Sequence, residues 1–160
     1  MNSIAIYPGT FDPPTLGHLS ILRRAAQLFN EVVVLVAINP DKETLFTPEE
    51  RVEMWEEITA DLPAVTVRAT EDLVALFAAS IEDATPVLIR GVRDAADLEF
   101  ELLLAAANRE LGGGLETIFL APGPCLRDVS STLVRQRLQA SEPLGTLLHP
   151  KTARRLLGVS

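Results

Sequence analysis

Five short apolar, β-branched runs, at residues 3–7, 32–38, 65–69, 87–90 and 117–120, are separated by longer stretches of helical period. Each run is continuous instead of alternating with polar residues, the pattern of a strand covered on both faces of a parallel sheet. Parallel strands need crossovers, and the helical stretches at 17–29, 48–60, 73–81 and 95–111 supply them. In the first of these, Leu22, Ala25, Ala26 and Phe29 fall on one face. The second opens on Thr47-Pro48-Glu49-Glu50, a capping box with proline at the first helical position. Helices at 131–140 and 152–157 follow the last strand. The order βαβαβαβαβαα with right-handed crossovers predicts an α/β fold, an open, doubly wound parallel sheet of about five strands. Such sheets bind ligands beyond the carboxyl ends of their strands, where strand order reverses, so functional residues are expected just after strands and at helix starts.

A length of 160 residues with 48% apolar content fits one domain, 1–160, in which about 141–160 form a C-terminal helical tail. No apolar run approaches the roughly 18 residues of a membrane span. The chain enters the apolar Ile4-Ala5-Ile6-Tyr7 almost at once and is expected to turn at Pro8-Gly9. That argues against a secretory signal and for a cytoplasmic location. Cys125 is the single cysteine and His18 and His149 the only histidines, so neither a disulfide nor a Cys- or His-rich metal site is expected. A net charge of −8 with scattered cations excludes the basic face that a nucleic-acid polymer requires, but not a small anionic ligand held by a few local donors. Gly112-Gly113-Gly114 reads as the left-handed end of a helix, and Trp55 with Val52, Ile58 and Leu62 as core. Cys125, with only Arg127 nearby, reads as an inert loop residue, and His149 has no evident partner.

The first strand-to-helix loop, Tyr7-Pro8-Gly9-Thr10-Phe11-Asp12-Pro13-Pro14-Thr15-Leu16-Gly17-His18, carries the densest chemistry. Its prolines and glycines fix one backbone path at the carboxyl edge. Asp12 and Thr15 can bond the local backbone. Thr10 offers a hydroxyl and an N–H, and Gly17 permits close backbone approach at a helix start, where unpaired N–H groups and the helix dipole favour anions. His18, in that first turn, can donate to a phosphate oxygen while the helix holds its ring.

Pro8–Pro13 with Thr15-Leu16-Gly17-His18 resembles the signature of the nucleotidylyltransferase superfamily, and the threonine opening T-x-G-H is similar to the phosphopantetheine adenylyltransferases. Three further stretches carry the likeness, which runs from Ile4 to about Leu138. They are Asn39-Pro40-Asp41-Lys42 leading into Phe46–Arg51, Leu88–Arg93 followed by Asp97–Glu101, and Val129-Ser130-Ser131-Thr132. The resemblance implies a Rossmann-like nucleotidyltransferase that reversibly moves the adenylyl group of ATP onto 4'-phosphopantetheine. The products would be dephospho-coenzyme A and pyrophosphate, by direct in-line attack with no covalent intermediate. It further implies Mg²⁺ bound mainly through ATP phosphates, and a homo-hexamer.

By the same resemblance His18 is the transition-state stabiliser, and Thr10, Lys42, Val74 and Arg90 bind phosphopantetheine. The ATP residues are Thr10, Phe11, His18, Gly91, Val92, Arg93, Glu101 and the stretch Leu126, Arg127, Asp128, Val129, Ser130, Ser131, Thr132. Read alone, several of these have plainer roles. Lys42 is a solvated loop charge with Glu43 facing solvent beside it, Val74 is core, and Glu101 is a helix-surface charge. Ser130 and its neighbours form a helix N-cap whose hydroxyls and N–H groups also suit a polyphosphate. Arg90, ending a buried strand, is expected to reach the surface or an anion, either a ligand or a structural partner such as Asp94 or Asp97. Leu126-Arg127-Asp128 departs from the aromatic-containing stretch of the family, so contacts there fall to the backbone. A phosphate monoester is already anionic at neutral pH and needs no general base, so alignment and charge stabilisation suffice. Alternative readings are a related transferase with another acceptor, such as nicotinate or nicotinamide mononucleotide, a cytidylyltransferase, or a nucleotide-sensing module without catalysis.

Overall fold

The structure, a computed structural model, describes residues 3–158. The strands are β1 (Ser3–Gly9), β2 (Glu31–Ala37), β3 (Val65–Thr70), β4 (Thr85–Gly91) and β5 (Glu116–Leu120). The helices are α1 (Leu16–Leu28), α2 (Pro48–Ile58), α3 (Val74–Ala79), α4 (Ala95–Leu111), α5 (Ser131–Gln139) and α6 (Pro150–Leu157), with a 3₁₀ turn at Pro124–Leu126. All pairings are parallel, in the order β3-β2-β1-β4-β5. The chain winds outward in one direction from β1 to β3, returns, and winds outward in the other through β4 and β5. The reversal lies between β1 and β4, as the doubly wound reading requires.

Double-sided burial is complete at the centre, where Ala5, Ile6, Val32, Val34, Leu35 and Val36 are wholly buried. On one face Leu22 and Ala25 of α1 and Trp55 and Ile58 of α2 pack with Tyr7, Phe11 and Ile89. On the other, Ala75 and Ala78 of α3 pack with Ile6, Leu35 and Leu88. At the edges, β3 and β5 expose alternate residues, Ile118 at 38% among them, because helices cover only one face there.

The expected turn at Pro8-Gly9 is instead strand: β1 continues through both, opposite Leu35 and Val36 of β2. Proline is tolerated because the ladder with β4 has already ended at Ile6, opposite Leu88, and the Pro8 carbonyl accepts from the Arg90 side chain. The capping box at Thr47–Glu50 forms, and Gly113 and Gly114 take left-handed φ values of 63° and 104° after α4.

The tail packs Leu144, Leu147 and Leu148 on Val134 of α5. The Leu147 carbonyl accepts the Leu16 N–H at the start of α1, and Arg155 of α6 pairs with Glu53 and Glu57 of α2. His149 finds a partner here: it caps α6, accepting from the Lys151 N–H, so the helix begins at Pro150, earlier than its apolar period implies. Helix α4 packs against α3 and β5 but leaves an apolar face uncovered. The only buried residue of α4 is Glu101, whereas Phe100, Leu102 and Leu103 are 60%, 52% and 72% exposed.

Candidate active site

Where β1 and β4 part, a cleft of about 370 Å³ opens at the carboxyl edge of the sheet. Four segments distant in sequence form its walls. The first loop and α1 contribute Thr10, Phe11, Asp12, Gly17 and His18, and the loop after β2 contributes Lys42 and Glu43. The end of β4 and α4 bring Arg90, Gly91, Arg93, Asp97 and Glu101; Leu126 and the start of α5 bring Val129, Ser130, Ser131, Thr132 and Arg135. Val74 lies outside this cleft, in an adjoining groove of about 200 Å³ with Leu73, Leu104 and Asn108, which Pro8, Arg90 and Glu101 share with the main cleft. Val92, Arg127 and Asp128 do not line the main cleft, and the Val92 N–H is bonded to the Leu120 carbonyl.

His18 is held by a local device. Thr15 is the N-cap of α1: its hydroxyl accepts the His18 N–H, while its own N–H donates to His18 Nδ1 at 3.1 Å. This is a capping box in which histidine takes the place of the usual Glu or Gln. An amide N–H can only donate, so Nδ1 carries the lone pair and the neutral ring carries its proton on Nε2. Burial, then Arg93 and Arg90, push the pKa of His18 from 6.5 down to about 4, which keeps the ring neutral. Phe11 packs its ring edge-on to His18 at 5.1 Å between centroids, from a left-handed backbone with φ 52°. A neutral imidazole with an oriented N–H is a hydrogen-bond donor, not an acid, in this setting.

Arg90 does meet an anion of the protein, but not Asp94 or Asp97. Its Nε and Nη2 donate to the two carboxylate oxygens of Glu101, both at 2.7 Å, and Nη1 donates to the Pro8 carbonyl at 2.8 Å. Glu101 is therefore no surface charge: it is 7% exposed, with both oxygens on Arg90. Three of the five guanidinium N–H groups are engaged, which leaves two for a ligand. Asp97 instead holds Arg93 one helical turn away, at 2.8 Å.

The start of α5 approaches α1 closely. A Cβ on Gly17 would sit 3.0 Å from the Val129 carbonyl, so what needs the glycine here is protein backbone. Ser130 caps α5 by accepting from the Leu133 N–H, Ser131 donates its hydroxyl to the Pro13 carbonyl at 2.7 Å, and Thr132 accepts from Arg135. Of the three hydroxyls, that of Ser131 thus ties the start of α5 to the loop before α1, while the other two bond within α5. The N–H groups of Ser131 and Thr132, in the first turn of α5, are the donors a helix leaves without an internal acceptor.

Four residues that line or brace this site, Arg51, Arg135, Asp12 and Glu43, are not evident from the sequence as members of it. Arg51 is 2% exposed and donates to the Thr10 carbonyl at 2.7 Å. Its spacing with Met54, Trp55 and Ile58 already places it on the buried face of α2. Arg135 donates to the Asp12 carbonyl at 2.6 Å. Asp12 bonds no local backbone; it accepts from the Leu45 and Phe46 N–H groups, more than thirty residues away. Glu43 is exposed as expected, yet also forms part of the cleft wall.

Residues 6–137 match the family described as cytidylyltransferase-like. The chain is 45% identical over 152 residues to the phosphopantetheine adenylyltransferase of Symbiobacterium thermophilum, covering 95% of this chain and 93% of that protein. It is 44% identical over 154 residues to the phosphopantetheine adenylyltransferase of Acidovorax sp. strain JS42, covering 96% and 92%. Among solved structures, a Vibrio parahaemolyticus protein provisionally assigned as a nicotinate-nucleotide adenylyltransferase superposes with a TM-score of 0.73 at 21% identity. That match covers 99% of this chain and 93% of that one, and it shows a shared fold.

Proposed function

The chain belongs to the cytidylyltransferase-like family and, within it, to the phosphopantetheine adenylyltransferases, and from that membership we propose that its cleft transfers the adenylyl group of ATP to 4'-phosphopantetheine. A phosphate oxygen of the acceptor forms a bond to the α-phosphorus of ATP. The bond from that phosphorus to the bridging oxygen breaks in line, and pyrophosphate and dephospho-coenzyme A leave. The reaction is reversible and a step in coenzyme A biosynthesis. The single observation that carries the assignment of roles is the Thr15–His18 capping box, which leaves a neutral Nε2–H as the donor in the cleft. In this reading that N–H meets the α-phosphoryl oxygen as charge gathers there, with Arg93 beside it.

Lys42 and the two remaining N–H groups of Arg90 take the acceptor phosphate, and Thr10 lies between the substrates. Arg90 also borders the groove of Val74, a path for the pantetheine arm leading away from the phosphate. ATP lies over Phe11, Gly91 and Arg93, its polyphosphate on the first-turn N–H groups of α5. Val92, Arg127 and Asp128 act on the nucleotide side through backbone placement, whereas Glu101, first assigned to ATP, acts through Arg90 on the acceptor phosphate. Three of the cleft's carboxylates are already engaged, Asp12 with two N–H groups, Asp97 with Arg93 and Glu101 with Arg90, and the fourth, Glu43, is exposed on the rim. These residues offer no dedicated cage, so a divalent cation such as Mg²⁺ would be held mainly through the phosphates of ATP and would supply charge neutralisation for the departing pyrophosphate.

The domain is single, from 1 to 160, with the tail from about 141 packed on α5 and α2. No helix among the described residues is long and apolar enough to cross a membrane, and we place the enzyme in the cytoplasm. Its working form is a homo-hexamer in this reading, and the apolar face of α4 is the surface that other copies cover. The test of function is incubation with ATP, Mg²⁺ and one acceptor at a time, following pyrophosphate. Release with 4'-phosphopantetheine and not with nicotinate or nicotinamide mononucleotide is the expected result. No release with 4'-phosphopantetheine would refute the assignment.

A further inference from the structure

We propose that Asp12 is a positioning residue for the acceptor phosphate, its buried carboxylate fixing the loop that presents Lys42. The inference rests on the reading of Lys42 given above. Asp12 is 4% exposed, yet no side-chain cation caps it directly: Arg135 stands 3.9 Å from one oxygen. The two carboxylate oxygens accept instead from consecutive backbone N–H groups, Leu45 at 2.8 Å and Phe46 at 2.9 Å. Such charge-assisted bonds are among the strongest single ties available to a loop.

The rest of the loop offers little else. Between Asn39 and Phe46 the other hydrogen bonds are local, from Lys42 N–H to the Asn39 carbonyl, from Asp41 N–H to the Asn39 side chain and from Thr44 hydroxyl to the Phe46 carbonyl. Among the described residues, Asp12 therefore makes the hydrogen bonds that fasten this loop to the body of the cleft. Its other end is equally constrained, because the Asp12 carbonyl accepts from Arg135 and the neighbouring Thr10 carbonyl accepts from Arg51. A side-chain substitution leaves the carbonyl in place, so the contact to α5 survives while the tie to the Lys42 loop is lost. The bottom-line chemistry is a substrate split: acceptor binding depends on the carboxylate and ATP binding does not.

Asp12→Asn turns an acceptor oxygen into an NH₂ facing an N–H donor. Loss of one such bond should raise KM for 4'-phosphopantetheine about tenfold or more while KM for ATP stays within about threefold. Because Asp12 acts through Lys42, adding Lys42→Ala to Asp12→Asn should cost far less than Lys42→Ala costs in the unmodified protein. A merely structural role predicts additive effects and a matching loss for both substrates, and either outcome overturns the proposal. Amide hydrogen exchange provides a readout independent of turnover and of the variant's folding. In the unmodified protein the Leu45 and Phe46 amides should exchange much more slowly than that of Glu43; equal rates overturn the proposal even if Asp12→Asn fails to fold. If the unmodified protein exchanges as expected but releases no pyrophosphate, the reading of function fails and the loop tie stands.

Discussion

The N–H of Thr15 donates to Nδ1 of His18 across 3.1 Å, and this bond determines which nitrogen of the ring faces the cleft with a proton. A residue that stabilises charge only as it develops should affect turnover more than ground-state binding. His18→Ala is expected to lower kcat by about 10²–10³-fold, the cost of losing one such donor, with ATP affinity largely kept. The variant also loses one acceptor of the capping box, so its Tm should fall by no more than a few degrees. Purified-enzyme kinetics normalised to folded protein decide the point, and a near-normal kcat would remove His18 from the transition state.

The pH behaviour follows from the burial of the same ring beside Arg93 and Arg90. With a folded pKa near 4 against 6.5 unfolded, the unfolded chain binds the extra proton between those values. Stability supplied by the neutral ring is therefore present above about pH 6.5 and is lost as pH falls toward 4. The Tm of the native protein should decline relative to that of His18→Gln through this window. Nitrogen-15 spectra of labelled histidine should show the Nε2–H tautomer of His18 at pH 6, and a protonated ring there would contradict the geometry.

The Arg90–Glu101 pair makes Glu101 an indirect participant. In Glu101→Gln the amide NH₂ faces guanidinium donors, so Arg90 loses its bidentate hold. The variant should mimic Arg90→Ala and Lys42→Ala, each weakening the use of 4'-phosphopantetheine by about 2 kcal/mol or more, with ATP binding less changed. Steady-state kinetics with each substrate varied in turn will tell; a first loss in ATP affinity would mean that Glu101 touches the nucleotide itself.

Ser131 separates a hydroxyl from an N–H. It occupies the first helical position of α5, where proline fits, and Ser130 before it is extended at φ −142° and ψ 157°, as a residue preceding proline should be. Ser131→Pro should therefore fold, yet bind ATP about tenfold more weakly than Ser131→Ala, which lacks only the hydroxyl. Asp128→Ala, outside the cleft, should stay within a few-fold of the native protein. Calorimetric ATP titration of the three variants checks the order.

The uncovered face of α4 predicts association. Light scattering on the eluting protein should give six times the mass of one chain, and Leu103→Glu, at a site 72% exposed in the single chain, should yield smaller species without unfolding them. A monomeric native protein would end the hexamer reading.

Much of this was legible in the sequence, and for a local reason. Continuous apolar runs, helical period and caps are properties of neighbouring residues, so five parallel strands, their crossovers and the Thr47 capping box could be read directly. The first loop was equally legible as the place of chemistry, because it follows a strand and opens a helix. Tertiary structure alone decided the partners. Arg90 pairs with Glu101 and not with the nearer Asp94 or Asp97, and Asp12 reaches Leu45 and Phe46, not its own turn. Ser131 bonds Pro13 from more than a hundred residues away. Each of these contacts joins segments that meet only once β1 and β4 lie side by side with the Lys42 loop and α5 folded over their ends. Sequence spacing carries the period of a helix or strand, but the direction of a charged side chain toward its partner depends on strand order and on which face each crossover takes.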